Sequence, residues 1–174
     1  AIPLKSHLSA QEVDKIYAHH FELPGVEIHT TMQRMYPYHA ALTPVLGYVG
    51  KLNARELAQI DPNNYRASPF IGKLGIEHFY ENILHGTTGE QGVEVNVAGW
   101  PQKNMFRTQP IAGHAITLTI DANFQQHIYA LLKHKNAAVV AIDPQNGDIL
   151  ALVSHPSFDN NFFAQGMAPA TYHQ

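Results

Sequence analysis

Glu77 and Glu81 stand four residues apart in a segment of helical periodicity, which places two carboxylates on one face. Such a pair can push one pKa upward and divide the work of general acid and general base, the chemistry of a hydrolase. The competing reading pairs one of the two with an arginine and leaves the other in water. It is favoured, because no nucleophile or polarising group lies nearby in the sequence. Twelve histidines raise the question of a metal. His127 with His134, and His78 with His85, lie two helical turns apart, too far for two ligands of one ion, and no His-Glu-x-x-His occurs. No metal site is expected.

Gly50-Lys51-Leu52 and Gly72-Lys73-Leu74 imitate the end of a phosphate loop but lack its magnesium-binding hydroxyl and its upstream glycine. The glycine-spaced run Gly86-Thr87-Thr88-Gly89-Glu90-Gln91-Gly92 follows a helix rather than opening one, so it reads as a tight connection. Serine chemistry fares no better. There is no Gly-x-Ser-x-Gly, and Ser6, Ser9, Ser68, Ser154 and Ser157 all lack a lysine three residues on. Lys73-Leu74-Gly75 carries leucine where a Lys-Thr-Gly triplet has its hydroxyl. The chain has no cysteine, which excludes disulfides, thiol nucleophiles and Cys-ligated metals. By residue chemistry the chain is non-catalytic, and no cofactor is expected.

The elements that would position these residues are short. With 174 residues, 45% hydrophobic and 14% charged, the chain suits one compact domain or two small ones. A formal charge of -3 has the wrong sign for binding phosphate backbones, which argues against nucleic acid. The longest apolar runs, Ala137 to Ile142 and Ile149 to Val153, fall far short of the ~20 residues that span a bilayer. No signal peptide opens the sequence, so the protein is expected to be cytosolic or to have its targeting segment outside this sequence.

Ser9 to Glu12 forms a capping box, with Leu8 stapling onto Val13, and Val13, Ile16, Tyr17 and His20 follow at helical spacing. Pro24-Gly25 ends that helix, and the alternation of Val26 and Ile28 with Glu27 and His29 predicts a strand over 26–30. Val45 to Gly50 predicts a strand with close backbone neighbours. Asn53 and Glu56 form a second capping box for a helix over 54–60, and residues 62–75 read as a surface loop. In the next helix, 76–85, Ile76, Phe79, Tyr80, Ile83 and Leu84 make an apolar stripe and Gly86 supplies the left-handed stop. Val93, Val95 and Val97 predict a strand ended by a turn at Gly99-Trp100-Pro101, with a connector over 102–114. Ile116, Leu118 and Ile120 predict another strand. Asp121 then caps a helix whose buried side is Phe124, Ile128, Leu131 and Leu132, and residues 137–153 form a hairpin around a polar turn. A domain boundary is expected near residues 108–114.

In order and spacing, Arg34-Met35-Tyr36-Pro37, Leu46-Gly47-Tyr48-Val49-Gly50, Ile71-Gly72-Lys73-Leu74-Gly75-Ile76-Glu77-His78-Phe79-Tyr80-Glu81 and Val93-Glu94-Val95-Asn96 resemble the non-catalytic module of class B penicillin-binding proteins. Within that family the likeness is nearest to the penicillin-binding protein 2 group of Gram-negative rods. Gly113-x-x-Ile116-x-Leu118-Thr119-Ile120-Asp121, Gln125, Val139 to Asp143-Pro144, Gly147-x-Ile149-Leu150-Ala151 and Pro156-Ser157-Phe158-Asp159 resemble the opening of the transpeptidase domain. Gly99-Trp100 departs from the more usual Gly-Arg.

The resemblance implies an α+β fold. A pedestal, or dimerisation module, of small mixed sheets and short helices runs over residues 1–112, followed over 113–174 by an incomplete strand, helix and hairpin from the start of the transpeptidase domain. It implies an acyl-serine D,D-transpeptidase that joins peptidoglycan stem peptides during elongation, on the periplasmic face of the bacterial inner membrane. The anchor would precede Ala1 and the serine motif would follow Gln174. This segment would then be a non-catalytic support for the reaction, contacting the rod-shape scaffold protein, the polytopic glycosyltransferase and a second copy of itself. The residues expected to serve as structural or interdomain contacts are Arg34, Tyr36, Pro37, Gly47, Tyr48, Gly50, Gly75, Glu77, Tyr80, Glu81 and Gly86. Among them, Arg34 and Glu77 are expected to form an ion pair tying the strand of Tyr36 to the helix of Tyr80. The 137–153 hairpin is expected either to recruit neighbours through its exposed edges or to be poorly ordered. The alternatives are a free-standing hydrolase using Glu77 or Glu81, and a natural short interaction module.

Overall fold

The computed structural model describes residues 2, 4–6, 8–66, 68–97 and 101–165, and only the backbone of 95 and 101. The chain folds as two compact units, Ala1–Met32 and Gln33–Gln174. In the first, α1 (Ala10–Ala18) starts from the expected capping box, with Ser9 Oγ accepting from the Glu12 N–H at 3.3 Å and Glu12 Oε2 accepting from the Ser9 N–H at 2.9 Å. A hydrogen bond from Lys5, then those from Ser9, hold the Glu12 carboxyl down at about 2. The strand expected over 26–30 is not formed. Val26 and Ile28 are half-buried and Glu27 and His29 exposed, so the alternation is real, but no described strand pairs with the segment.

Among its described residues the second unit contains three two-stranded antiparallel sheets. Its first helix, α2 (Thr43–Leu46), overturns the expected start of a strand at Val45. Pro44 lies in the first turn, where a missing N–H costs nothing, and Gly47 ends the helix at φ +74°. The strand is left as β1 (Val49–Lys51), followed by α3 (Ala54–Leu57) on its capping box, shorter than the 54–60 expected. The expected 62–75 loop contains β2 (Phe70–Gly72), which pairs with β1 in the register Val49 to Gly72 and Lys51 to Phe70.

The single helix expected over 76–85 is two, α4 (Gly75–Phe79) and α5 (Glu81–Leu84), broken at Tyr80. The break disperses the apolar stripe: Phe79 and Ile83 are exposed, and the residue buried on α4 is Glu77. The next hairpin, β3 (Glu90–Val95) with β4 (Pro101–Thr108), replaces a strand expected to reach Val97 and a connector over 102–114. Because Met105 and Phe106 of β4 are exposed, no inward-outward alternation marks that strand. The turn expected at Gly99-Trp100 lies outside the described residues.

The strand expected over 116–120 is an extended stretch instead, fastened by Thr119 Oγ1 to the Ile149 carbonyl at 2.8 Å and by the Asp121 N–H to the Leu150 carbonyl at 2.9 Å. Asp121 caps α6 (Ala122–Leu131) through the Asn123 and Phe124 N–H groups. The buried face of α6 is Gln125 and Ile128, whereas Phe124 and Leu131 are exposed. The expected hairpin is present as β5 (Ala137–Ile142) and β6 (Ile149–His155), and a short α7 (Asn161–Ala164) follows. Ile128 packs with Ala151 and Val153 to form the core between α6 and this hairpin, with Tyr129, Leu132, Val139 and Ala141 around it. Among the described residues no helix is long and apolar enough to cross a membrane.

Candidate functional site: a polar joint around Tyr36

Glu77 sits in the first turn of α4, where the helix dipole favours a carboxylate, and its side chain is only 5% exposed. Arg34 Nε donates to Glu77 Oε1 at 2.5 Å from a side chain that is 47% exposed. The expected pair is thus formed, although Arg34 and Tyr36 lie on an extended segment and not in a strand. Burial opposes the guanidinium charge, but the Glu77 carboxylate outweighs it and raises the Arg34 pKa. Tyr36 is buried, and its hydroxyl accepts from the Val49 N–H at 3.0 Å. Burial first, and then the charge of Glu77, push the Tyr36 phenol well above its usual range. Arg34, Met35, Tyr36, Pro37, Ile76 and Glu77 form part of the wall of a cavity of about 140 Å³.

Two glycines let α2 approach α4. A Cβ on Gly47 would lie 1.8 Å from the Leu74 carbonyl oxygen, and one on Gly75, at φ +62°, would lie 2.6 Å from the Val45 carbonyl oxygen. Gly50 lies under the methylenes of Lys73, whose ammonium meets Glu56 at 2.5 Å. Burial opposes the Glu56 charge, yet the hydrogen bonds from Lys73 and Asn53 bring its pKa below the normal carboxylate value. Gly86, at φ +76°, abuts the 111–113 backbone.

Glu81 does not face water, as the arginine-plus-solvent reading expected. Oε1 accepts from the Tyr65 hydroxyl and Oε2 from the Gly72 N–H, each at 2.8 Å, so α5 is tied to β2. Burial and then this hydrogen bond raise the Tyr65 pKa. Tyr80 closes α4 through its N–H to the Ile76 carbonyl, and its ring meets Phe79 edge-on. The two carboxylates therefore serve different partners, and donors already occupy both. Among the described residues no group of three His, Asp or Glu converges as a metal site.

A second set of contacts joins residues 33–48 to residues 121–164, and little in the sequence signals it. Asn161 takes both backbone groups of Tyr36: its Oδ1 accepts from the N–H at 2.8 Å and its Nδ2 donates to the carbonyl at 2.9 Å. Gln125 does the same to Leu152, at 2.8 and 2.7 Å, and also donates to the Ala41 carbonyl at 2.8 Å. Asn160 Nδ2 donates to the Gly47 carbonyl at 2.9 Å and Thr43 Oγ1 to the Phe158 carbonyl at 2.7 Å. Tyr48 stacks on Phe163 at 4.2 Å and meets Phe158 edge-on at 5.9 Å. At the rim, His39 Nδ1 lies 2.7 Å from Asp159 Oδ2. Burial acts against the Asp159 charge, but hydrogen bonds from the Asn161 N–H and His39 leave its pKa lowered. Gln125 and Asn160 are fully buried. In the sequence these residues show only as members of the family-like motifs, such as Gln125 and Phe158-Asp159, and as polar residues at otherwise core-facing positions of α6 and α7.

Residues 1–118 match the model of the penicillin-binding protein dimerisation domain. The chain is 43% identical over 99% of its length to peptidoglycan D,D-transpeptidase MrdA of Escherichia coli (strain K12), and 35% identical over 95% to penicillin-binding protein 3 of Bacillus subtilis (strain 168). It spans 28% of the length of the first relative and 24% of the second. Among solved structures it is similar to PBP2 in a complex with MreC from Helicobacter pylori, with a TM-score of 0.82 and 26% identity over 98% of this chain and 32% of that one. It is also similar to Pseudomonas aeruginosa PBP2 in complex with WCK 5153, with a TM-score of 0.69 and 38% identity over 84% of this chain and 29% of that one. The α+β architecture of short helices and small sheets is that of these PBP2 structures, and the chain belongs to the penicillin-binding protein dimerisation-domain family.

Proposed function

We propose that this chain is the non-catalytic pedestal and interdomain joint of a peptidoglycan D,D-transpeptidase of the elongation type, acting at the periplasmic face of the inner membrane. The carrying observation is that the dimerisation region, residues 1–118, is bonded through Tyr36, Ala41, Thr43 and Gly47 to residues 121–164, beyond that region. Side chains that bond to backbone across such a boundary hold two regions in one relative position. The Arg34–Glu77 and Glu81–Tyr65 ties then make the pedestal side of the joint stiff. A stiff support can influence a distant reaction only through partners that prefer one of its orientations.

The partners proposed are MreC, after the Helicobacter pylori complex, and the polytopic glycosyltransferase of the same machinery. Isothermal titration of this 174-residue chain with the extracytoplasmic part of the cognate MreC tests the reading. Saturable one-to-one binding that full-length transpeptidase competes away is expected, and no binding at hundred-micromolar concentrations contradicts it.

A further inference from the structure

We propose that Asn161, Asn160 and Gln125 are positioning residues of the transpeptidase: their side-chain amides fix the Tyr36–Gly47 segment against the β5–β6 body and so set the active-site geometry. The inference rests on the reading above and names the atoms through which it works. An amide that captures both the N–H and the C=O of one residue acts as an extra rung of backbone pairing. Asn161 does this to Tyr36, and Gln125 to Leu152. Segment 36–47 belongs to no sheet, and while its own turns and α2 pair most of its backbone groups, the Tyr36 N–H and the Ala41 and Gly47 carbonyls meet these side chains instead. Donors Asn160, Asn161 and Gln125 all lie outside the dimerisation region and their acceptors Tyr36, Ala41 and Gly47 inside it, so the amides bridge the two regions directly.

A bidentate amide also fixes direction, which a hydrophobic contact does not. The Tyr48, Phe158 and Phe163 rings hold the regions together, while the amides determine the register in which they meet. Loss of an amide should therefore leave a folded protein whose two regions sit slightly wrongly.

The test uses the full-length enzyme and the rate of acylation by a fluorescent penicillin, measured well below each variant's melting midpoint. Asn161→Ala is expected to slow acylation about 10- to 100-fold, the size of effect that follows a small misplacement of reacting groups. Asn161→Asp keeps the volume and the acceptor but puts a carboxylate beside the Tyr36 carbonyl and Asp159. When neutral, the introduced carboxyl can again donate and accept. The Asn161→Asp deficit relative to wild type should thus shrink between pH 7 and pH 5, and the Asn161→Ala deficit should not. The charged and titratable groups facing the site are Asp159 and His39, so Asp159→Asn provides the control profile. Should Asn161→Ala fail to fold, the pH dependence within Asn161→Asp alone decides. Wild-type acylation rates in folded variants overturn the positioning role, as does a deficit in Asn161→Asp that is independent of pH. Wild-type protein that takes up no penicillin overturns instead the transpeptidase reading beneath it.

Discussion

Replacing Arg34 by methionine leaves the Glu77 carboxylate, 5% exposed, without its cation beside the Tyr36 hydroxyl. Breaking a fully buried pair costs ~3–5 kcal/mol and losing an exposed one ~0–1 kcal/mol. Arg34 is 47% exposed, so water can solvate part of what is lost, and the expected cost of Arg34→Met lies between these limits, at about 2 kcal/mol. For a unit of this size that corresponds to a fall of about 4–8 °C in melting midpoint. The origin of the loss is an uncompensated buried charge, which makes a sharper forecast possible. Adding Glu77→Gln removes that charge while keeping the shape, so Arg34→Met/Glu77→Gln should recover more than half of what Arg34→Met loses. Urea unfolding of wild type, both single variants and the double variant completes the cycle. Strictly additive losses would mean that Arg34 and Glu77 do not interact energetically and that no buried charge is left uncompensated.

Three further outcomes follow from other parts of the joint. Gly47→Ala and Gly75→Ala should each cost more than about 3 kcal/mol, because the new methyl meets a backbone oxygen at positive φ, whereas Gly147→Ala, at φ +81° but in open space, should cost only about 1 kcal/mol by differential scanning calorimetry. The lowered pKa values of Asp159 and Glu56 mean that each contributes stability above its unfolded-state pKa, and that this is lost as the pH falls through the folded-state value. Asp159→Asn and Glu56→Gln should therefore melt below wild type at pH 6 and approach it near pH 3. Glu81→Gln should lower the melting midpoint by weakening the bonds from Tyr65 and the Gly72 N–H, and should not create or abolish any peptidoglycan hydrolysis by this chain in a turbidity assay.

Local signals in the sequence were legible wherever one residue and its neighbours settle the conformation. The capping boxes at Ser9 and Asn53, the Asp121 cap, the left-handed stop at Gly86 and the 137–153 hairpin all depend on contacts a few residues apart. The Arg34–Glu77 pair was legible too, through the motifs that carry the family resemblance. Strands were harder. Val26 to Thr30 alternates correctly but lacks a described partner, and β2 and β4 are strands because a neighbour pairs with them, with little patterning of their own. The break at Tyr80 overrode a good helical stripe because Glu77 and Glu81 are held by different partners, Arg34 on one side and Tyr65 with Gly72 on the other. Gln125 stands among the residues that carry the resemblance, but its bonds, like those of Asn160 and Asn161, are not legible in the sequence, because their partners are backbone groups more than 25 positions away, which leave no mark on side-chain periodicity.

On the function proposed above, these 174 residues support and orient the reaction without performing it. Labelling the full-length protein with a penicillin, digesting it and locating the acylated peptide by mass spectrometry shows where the acyl group goes. A single adduct on a serine outside this segment is expected. An adduct on Ser6, Ser9, Ser68, Ser154 or Ser157, abolished by replacing that serine, would contradict it.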